Sequence, residues 1–152
     1  RDLHSFPTRR SSDLGSLVAV SSVAGFNGLP GRTGYSASKF AIHGFMETIR
    51  IENLRNGLHV MVIAPGFTTS NIRKHALTAN GSEQGDSPRP EEKLQSPGFV
   101  ARKLLAGIRH NRRNMILTWE GKFTALFQRI IPRILDKAYY NVMSREPRSP
   151  LK

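Results

Sequence analysis

From Gly15 onward the chain alternates short apolar runs with longer amphipathic stretches, punctuated by glycine and proline. Leu17, Val18, Ala19 and Val20 are consecutive apolar residues that end in Ser21-Ser22, the pattern of a strand buried on both faces. Gly25, Gly28, Gly31 and Gly34, with Pro30, follow and predict a flexible loop without regular structure up to Tyr35. From Tyr35 to about Asn56, Ala41, Phe45 and Ile49 form one stripe at helical spacing. Ile42 and Met46 lie beside it, and Gly57 stands as the stop signal. Leu58 to Ala64 is a second apolar strand, broken by Pro65 and Gly66. A strand, a helix and a second strand with a short return predict a right-handed parallel crossover.

The pattern weakens and then resumes. Thr68 to Ala79 has room for a short helix, and Asn80 to Ser96, rich in Gly, Ser, Pro and charge, predicts a mobile loop. Ser96 and Pro97 pair an N-cap with a first-turn proline, starting a helix that reaches about His110 with Val100, Leu104, Leu105 and Ile108 on its apolar face. Asn114 to Thr118 reads as a last strand. Phe123, Leu126, Phe127, Ile130, Ile131, Ile134 and Leu135 then recur at helical spacing, with Pro132 forcing a kink or break. Tyr139, Tyr140 and Met143 continue the apolar side. The chain therefore divides into a leader over 1–14, an α/β domain over 15–144 and a Pro-rich disordered tail over 145–152. The leader has neither a strand nor a helix period and resembles translated sequencing-adapter DNA, so it is expected to be non-native or disordered.

Composition narrows the function. The 152 residues contain no cysteine, which excludes disulfides, thiolate metal sites and cysteine nucleophiles and fits a reducing, cytoplasmic setting. No apolar stretch approaches the ~20 residues needed to span a bilayer. The net charge of +12 is uneven: residues 100–152 hold 12 of the 23 Lys and Arg against Glu120, Asp136 and Glu146. Such an excess fits a solvated surface or an acidic partner. The five histidines, His4, His43, His59, His75 and His110, have no spacing suited to a metal and read as surface or helix residues. The nucleophile elbow of a serine hydrolase, G-x-S-x-G, is absent. The evenly spaced glycines do not make a phosphate cradle, because such a loop joins strand to helix tightly and this one is long.

Tyr35 and Lys39 carry the candidate chemistry. Four residues apart on a helix, they share a face, and an ammonium beside a phenol favours the phenolate, which gives a proton donor or acceptor usable nearer neutrality. Tyr-x-x-x-Lys alone is common on helix surfaces. Its context is specific: an apolar strand ending in Ser21-Ser22, a glycine loop, Tyr35-Ser-Ala-Ser-Lys39 opening a helix, and a strand ending in Ala64-Pro65-Gly66.

In that order these features resemble the short-chain dehydrogenases/reductases, from about Gly15 to at least Ser70 and more loosely to the C-terminus. The resemblance implies a Rossmann-like, doubly wound parallel sheet of the α/β class and an oxidoreductase that interconverts a carbonyl and an alcohol with NADP or NAD. It implies that Tyr35 donates the proton and that Ser22, thirteen residues before it, binds the substrate oxygen. Lys39 is implied to lower the tyrosine pKa and hold the nicotinamide ribose. Pro65-Gly66-Phe67-Thr68-Thr69-Ser70 resembles the loop that contacts the nicotinamide carboxamide, with Ser70 where the family more often has threonine and Thr68 contributing mainly backbone. The family's glycine-rich pyrophosphate loop, its adenosine-selecting residue, its Asn-Asn-Ala-Gly segment and a catalytic asparagine have no counterpart here. An N-terminal truncation of roughly 110 residues is therefore expected, leaving an exposed apolar sheet edge and a fragment inactive alone.

The expected partners are a small hydrophobic carbonyl or alcohol substrate, received by Phe67, Leu77, Trp119, Phe123 and Phe127, and further copies of the full-length protein. The alternative is a basic amphipathic module over 109–140, built on Arg109, Arg112, Arg113, Lys122, Arg129, Arg133 and Lys137. It would bind an anionic membrane surface peripherally, or nucleic acid, the latter disfavoured because no nucleic-acid fold signature accompanies the charge.

Overall fold

The computed structural model describes residues 15–70, 81–82, 94–145 and 151. The leader, the expected helix beyond Ser70, most of the loop over 80–96 and most of the tail lie outside the described residues. Three strands form one parallel sheet in the order β1 (Ser16–Val20), β2 (His59–Ala64), β3 (Asn114–Ile116). Helix α1 (Thr33–Glu52) connects β1 to β2, and α2 (Pro97–Arg109) precedes β3. Two further helices, α3 (Trp119–Ile130) and α4 (Pro132–Met143), follow.

The β2 sequence HVMVIA is apolar at five successive positions because both of its faces are covered. Val60 and Val62 pack with Met46 of α1 and with Leu17, Ala19, Ile42 and Ile49 around them. Met61 and Ile63, which point the other way along the pleat, are fully buried. Gly107 of α2 meets the Met61 and Met115 sulfurs so closely that a Cβ there has no space. Helices thus cover the sheet on both faces, the doubly wound arrangement that the alternation of elements predicts.

Several boundaries move for identifiable reasons. The expected irregular loop after β1 contains a 3-10 turn at Val23–Gly25, because Ser22 Oγ accepts from the Ala24 N–H at 3.3 Å and caps it. Gly25 is there for close packing rather than flexibility: an added Cβ would lie 2.6 Å from His43 Nε2 and 2.7 Å from Ser21 Oγ. Helix α1 begins two residues before Tyr35 and ends at Glu52, where the Asn53 side chain donates to the Ile49 carbonyl at 2.9 Å and takes over from the helical ladder. Strand β3 stops at Ile116, two residues short of expectation, because Thr118 is already the N-cap of α3, accepting from the Gly121 N–H at 3.1 Å. Ser96 caps α2 through the Phe99 N–H at 3.2 Å, and Pro132 splits the last apolar stretch into α3 and α4, as expected.

His43 is more than a surface helix residue. Its Nε2 lies 2.9 Å from the Ser21 hydroxyl, its ring meets Phe26 edge-on with centroids 4.3 Å apart, and Ser21 is only 4% exposed. The end of β1 is thereby fastened to the middle of α1. Burial, and then the Arg50 charge, push the His43 pKa below its ordinary value, against a smaller opposing pull from Glu47. As pH falls, the unfolded chain therefore takes up this proton before the folded one does. The neutral ring's contribution is fully present above the unfolded value of about 6.5 and is lost as pH drops from there through the folded pKa. Thermal melts between pH 7.5 and 5.5 should show a falling midpoint, and His43→Gln should flatten that slope. Gly25→Ala, which drives a methyl into the His43–Ser21 contact, should lower stability by about 1–3 kcal/mol in denaturant titrations.

Candidate active site

In a parallel sheet wound on both faces, ligands bind outside the carboxyl ends of the strands. There β1 and β2 end level with one another: Val20 is in register with Ile63, and the Ser21 N–H donates to the Ile63 carbonyl at 2.7 Å. The two serines that close β1 face different surroundings. Ser21 is turned inward and spent on His43, whereas Ser22 is half-buried and caps the 3-10 turn. Of the two hydroxyls, Ser22 is the more accessible.

Helix α1 returns over this end of the sheet. Tyr35 lies in its first turn and is 45% exposed. The Lys39 ammonium sits 5.7 Å from the Tyr35 ring centroid and donates to the Val20 carbonyl at 3.3 Å. Lys39 is therefore held between the phenol and the last residue of β1, two residues before Ser22. Tyr35, Lys39 and His43 follow one another at intervals of four along one line of the helix, and two of the three reach the end of β1. Ser36, one residue past the tyrosine, is buried and accepts from the Leu29 N–H at 3.1 Å, which fixes the glycine loop against the first turn of α1.

Beyond β2, Pro65 and Gly66 are half-buried and Ser70 is exposed. The Thr68 hydroxyl donates to the Gly66 carbonyl at 3.1 Å, so this side chain is committed to the loop itself. Sequence reasoning missed Gln95. Thr68 forms an isolated parallel bridge with Gln95, whose backbone donates to the Phe67 carbonyl at 2.8 Å and accepts from the Thr69 N–H at 3.0 Å. A lone glutamine in a polar stretch carries no sequence signal for such pairing. His43 did leave one, its place four residues after Lys39 on the same line.

The N-terminus of α3 sits against the serine-bearing turn. Gly121 is buried so closely that an added Cβ would lie 2.7 Å from Val23 Cγ2 and 2.8 Å from Ile116 Cγ2. From this anchor the rings of Trp119, Phe123 and Phe127 run along the helix, with successive centroids 6.2 and 5.9 Å apart and the Lys122 ammonium 4.5 Å over Trp119. Trp119 is 70% exposed. Among the described residues no His, Asp or Glu side chains gather in a group able to hold a metal, and no helix is long and apolar enough to cross a membrane.

Comparison with known proteins bears on this geometry. The family pattern described as short chain dehydrogenase matches residues 5–81, just over half of the chain. The dehydrogenase/reductase SDR family member 7B of Danio rerio is 31% identical over 142 residues, covering 93% of this chain and 45% of that protein. Its Bos taurus counterpart is 35% identical over 103 residues, 68% of this chain and 32% of the relative. Among solved structures, a short chain dehydrogenase from Burkholderia cenocepacia in complex with NADP superposes with a TM-score of 0.67 at 19% identity, covering 85% of this chain and 48% of that one. The chain thus spans about half the length of the proteins it matches. With the parallel sheet, the Tyr35–Lys39 helix and the family pattern all in agreement, the chain belongs to the short-chain dehydrogenase family.

Proposed function

We propose that this chain is the catalytic half of an oxidoreductase that interconverts a carbonyl and an alcohol with NADP or NAD, using Tyr35 as the general acid and base. The observation that carries the reading is the Lys39 ammonium, placed between the Tyr35 ring and the Val20 carbonyl at the carboxyl end of β1. The donors available there fit a nicotinamide nucleotide: an exposed phenol, an ammonium, and the exposed Ser70 hydroxyl beyond β2. Lys39 would hold the ribose hydroxyls, while Pro65, Gly66, Thr68 and Ser70 would meet the carboxamide, Thr68 through its backbone. Related structures from Burkholderia cenocepacia and Sphingobium yanoikuyae were obtained with NADP and NADPH respectively, which supports this cofactor class.

When bound, the cofactor supplies the hydride. The protein's own part is placement and electrostatics. In the direction of reduction Tyr35 Oη gives its proton to the carbonyl oxygen as negative charge develops there, and Lys39 stabilises the phenolate left behind. Ser22 Oγ, which accepts from the Ala24 N–H, can donate its own O–H to the same oxygen. In oxidation the phenolate takes the alcohol proton. The ring row from Trp119 to Phe127, on a helix docked against the Ser22 turn, supports an apolar substrate. That docking is also why we assign this face to substrate rather than to a lipid surface. Helix α1 and the turn after it leave Phe45, Ile51 and Leu54 exposed, apolar surface suited to further protein, either an upstream half or a second copy.

In a polypeptide carrying this chain behind a dinucleotide-binding half, Tyr35→Phe should cut NAD(P)H-dependent carbonyl reduction by roughly 10²–10⁴-fold with the circular dichroism spectrum unchanged. Unchanged turnover would remove the assigned role. The two serines should separate: Ser22→Ala should lower kcat by about 10²-fold or more, with a stability loss no greater than the ~1 kcal/mol of a lost turn cap. Ser21→Ala should instead lower stability by about 1–3 kcal/mol and leave kcat near that of the parent. The reverse pattern would mean that the hydroxyls were assigned the wrong way round.

A further inference from the structure

The loop that the preceding reading gives to the nicotinamide has one internal brace, the Thr68 hydroxyl on the Gly66 carbonyl, and a larger set of bonds from another segment. Gln95 holds it from outside. The Gln95 side-chain oxygen accepts from the Gly66 N–H at 3.0 Å, and its side-chain nitrogen donates to the Leu117 carbonyl at 3.3 Å. Its backbone adds the two bonds to Phe67 and Thr69. One residue thus spans the end of β2, the end of β3 and the segment leading into α2. The fit is close: an added Cβ at Gly66 would lie 2.5 Å from Thr118 Cγ2 and 3.4 Å from Gln95 Cδ. The loop is pressed into a notch whose walls are Thr118 and the Gln95 amide.

We infer that Gln95 is a positioning residue for the cofactor, setting the height of the Pro65–Ser70 backbone above the sheet through the paired hydrogen bonds of its amide to Gly66 and Leu117. The inference rests on the dehydrogenase reading. The amide group is chemically required. The side chain must present an acceptor to the Gly66 N–H and, on its other branch, a donor to the Leu117 carbonyl, which a primary amide supplies at once. A carboxylate is acceptor-only, so glutamate keeps the Gly66 bond but sets an anionic oxygen against the Leu117 carbonyl. Leucine fills similar space and satisfies neither backbone group, leaving them without partners in a half-buried notch. Because near-attack geometry is sensitive to small displacements, a shift of this backbone should act first on how the nicotinamide end is held. Proton transfer at Tyr35, on a different element, should be affected less.

The test uses Gln95→Glu and Gln95→Leu in the same full-length context, with the nicotinamide cofactor itself as probe. Both variants should raise the cofactor KM and Kd by roughly tenfold, the scale of one lost net hydrogen bond, with kcat at saturation changed by less than about twofold. Hydrogen exchange, read without cofactor, should show the Gly66 amide losing protection in Gln95→Leu and keeping it in Gln95→Glu, whose oxygen still accepts. If Gln95→Leu does not fold, the near-isosteric glutamate variant decides the KM question alone. An unchanged cofactor KM in a folded variant overturns the inference, even if Gly66 exchanges faster, because the residue would then hold only the fold. Failure of the unsubstituted protein to bind either nucleotide overturns the dehydrogenase reading and, with it, this one.

Discussion

The burial of β2 is the constraint to which everything else in the molecule is referred. Five successive apolar residues cannot all be covered from one side of a pleated strand, so their sequence obliges helices to pack on both faces and a strand to pair along each edge. Parallel pairing then brings the ends of β1, β2 and β3 to one level, and the chain must leave the sheet there three times. The turn after β1, the Pro65–Ser70 loop and the start of α3 are those three departures. Their convergence follows from strand direction and register alone, before any side chain is specialised for chemistry.

Within that setting the row at intervals of four on α1 divides its labour. His43 is half-buried and immobilises Ser21, Lys39 grips the carbonyl of Val20, and Tyr35 alone projects into the open. The group we propose as the proton donor is thus the exposed end of a series whose inner members are structural. Adjacent serines differ in the same way. In an extended segment neighbouring side chains point to opposite sides, so a buried Ser21 requires that Ser22 face away from the His43 contact.

Much of this was legible in the sequence because it depends on local periodicity. The apolar runs located β1 and β2, the Ser96-Pro97 pair located the start of α2, and Pro132 located the division between α3 and α4, each through a property of one segment. The spacing of Tyr35, Lys39 and Ser22 was readable for the same reason. What could not be read depends on contacts between distant segments: the hold of Gln95 on Gly66 and Leu117, the steric role of Gly25, and the 3-10 turn that Ser22 caps. Four glycines in twelve residues resemble flexibility in composition, and only the position of His43 shows that one of them is a packing requirement.

The Thr68–Gln95 bridge carries a consequence of another kind. It ties together two points 27 residues apart in sequence, so whatever chain runs between them is a closed loop whose base belongs to the folded core. The entropy of closing such a loop grows only logarithmically, about 0.6 kcal/mol for each doubling of its length. What the bridge costs in chain entropy is therefore set mainly by its being made at all and only weakly by the number of residues between its two anchors.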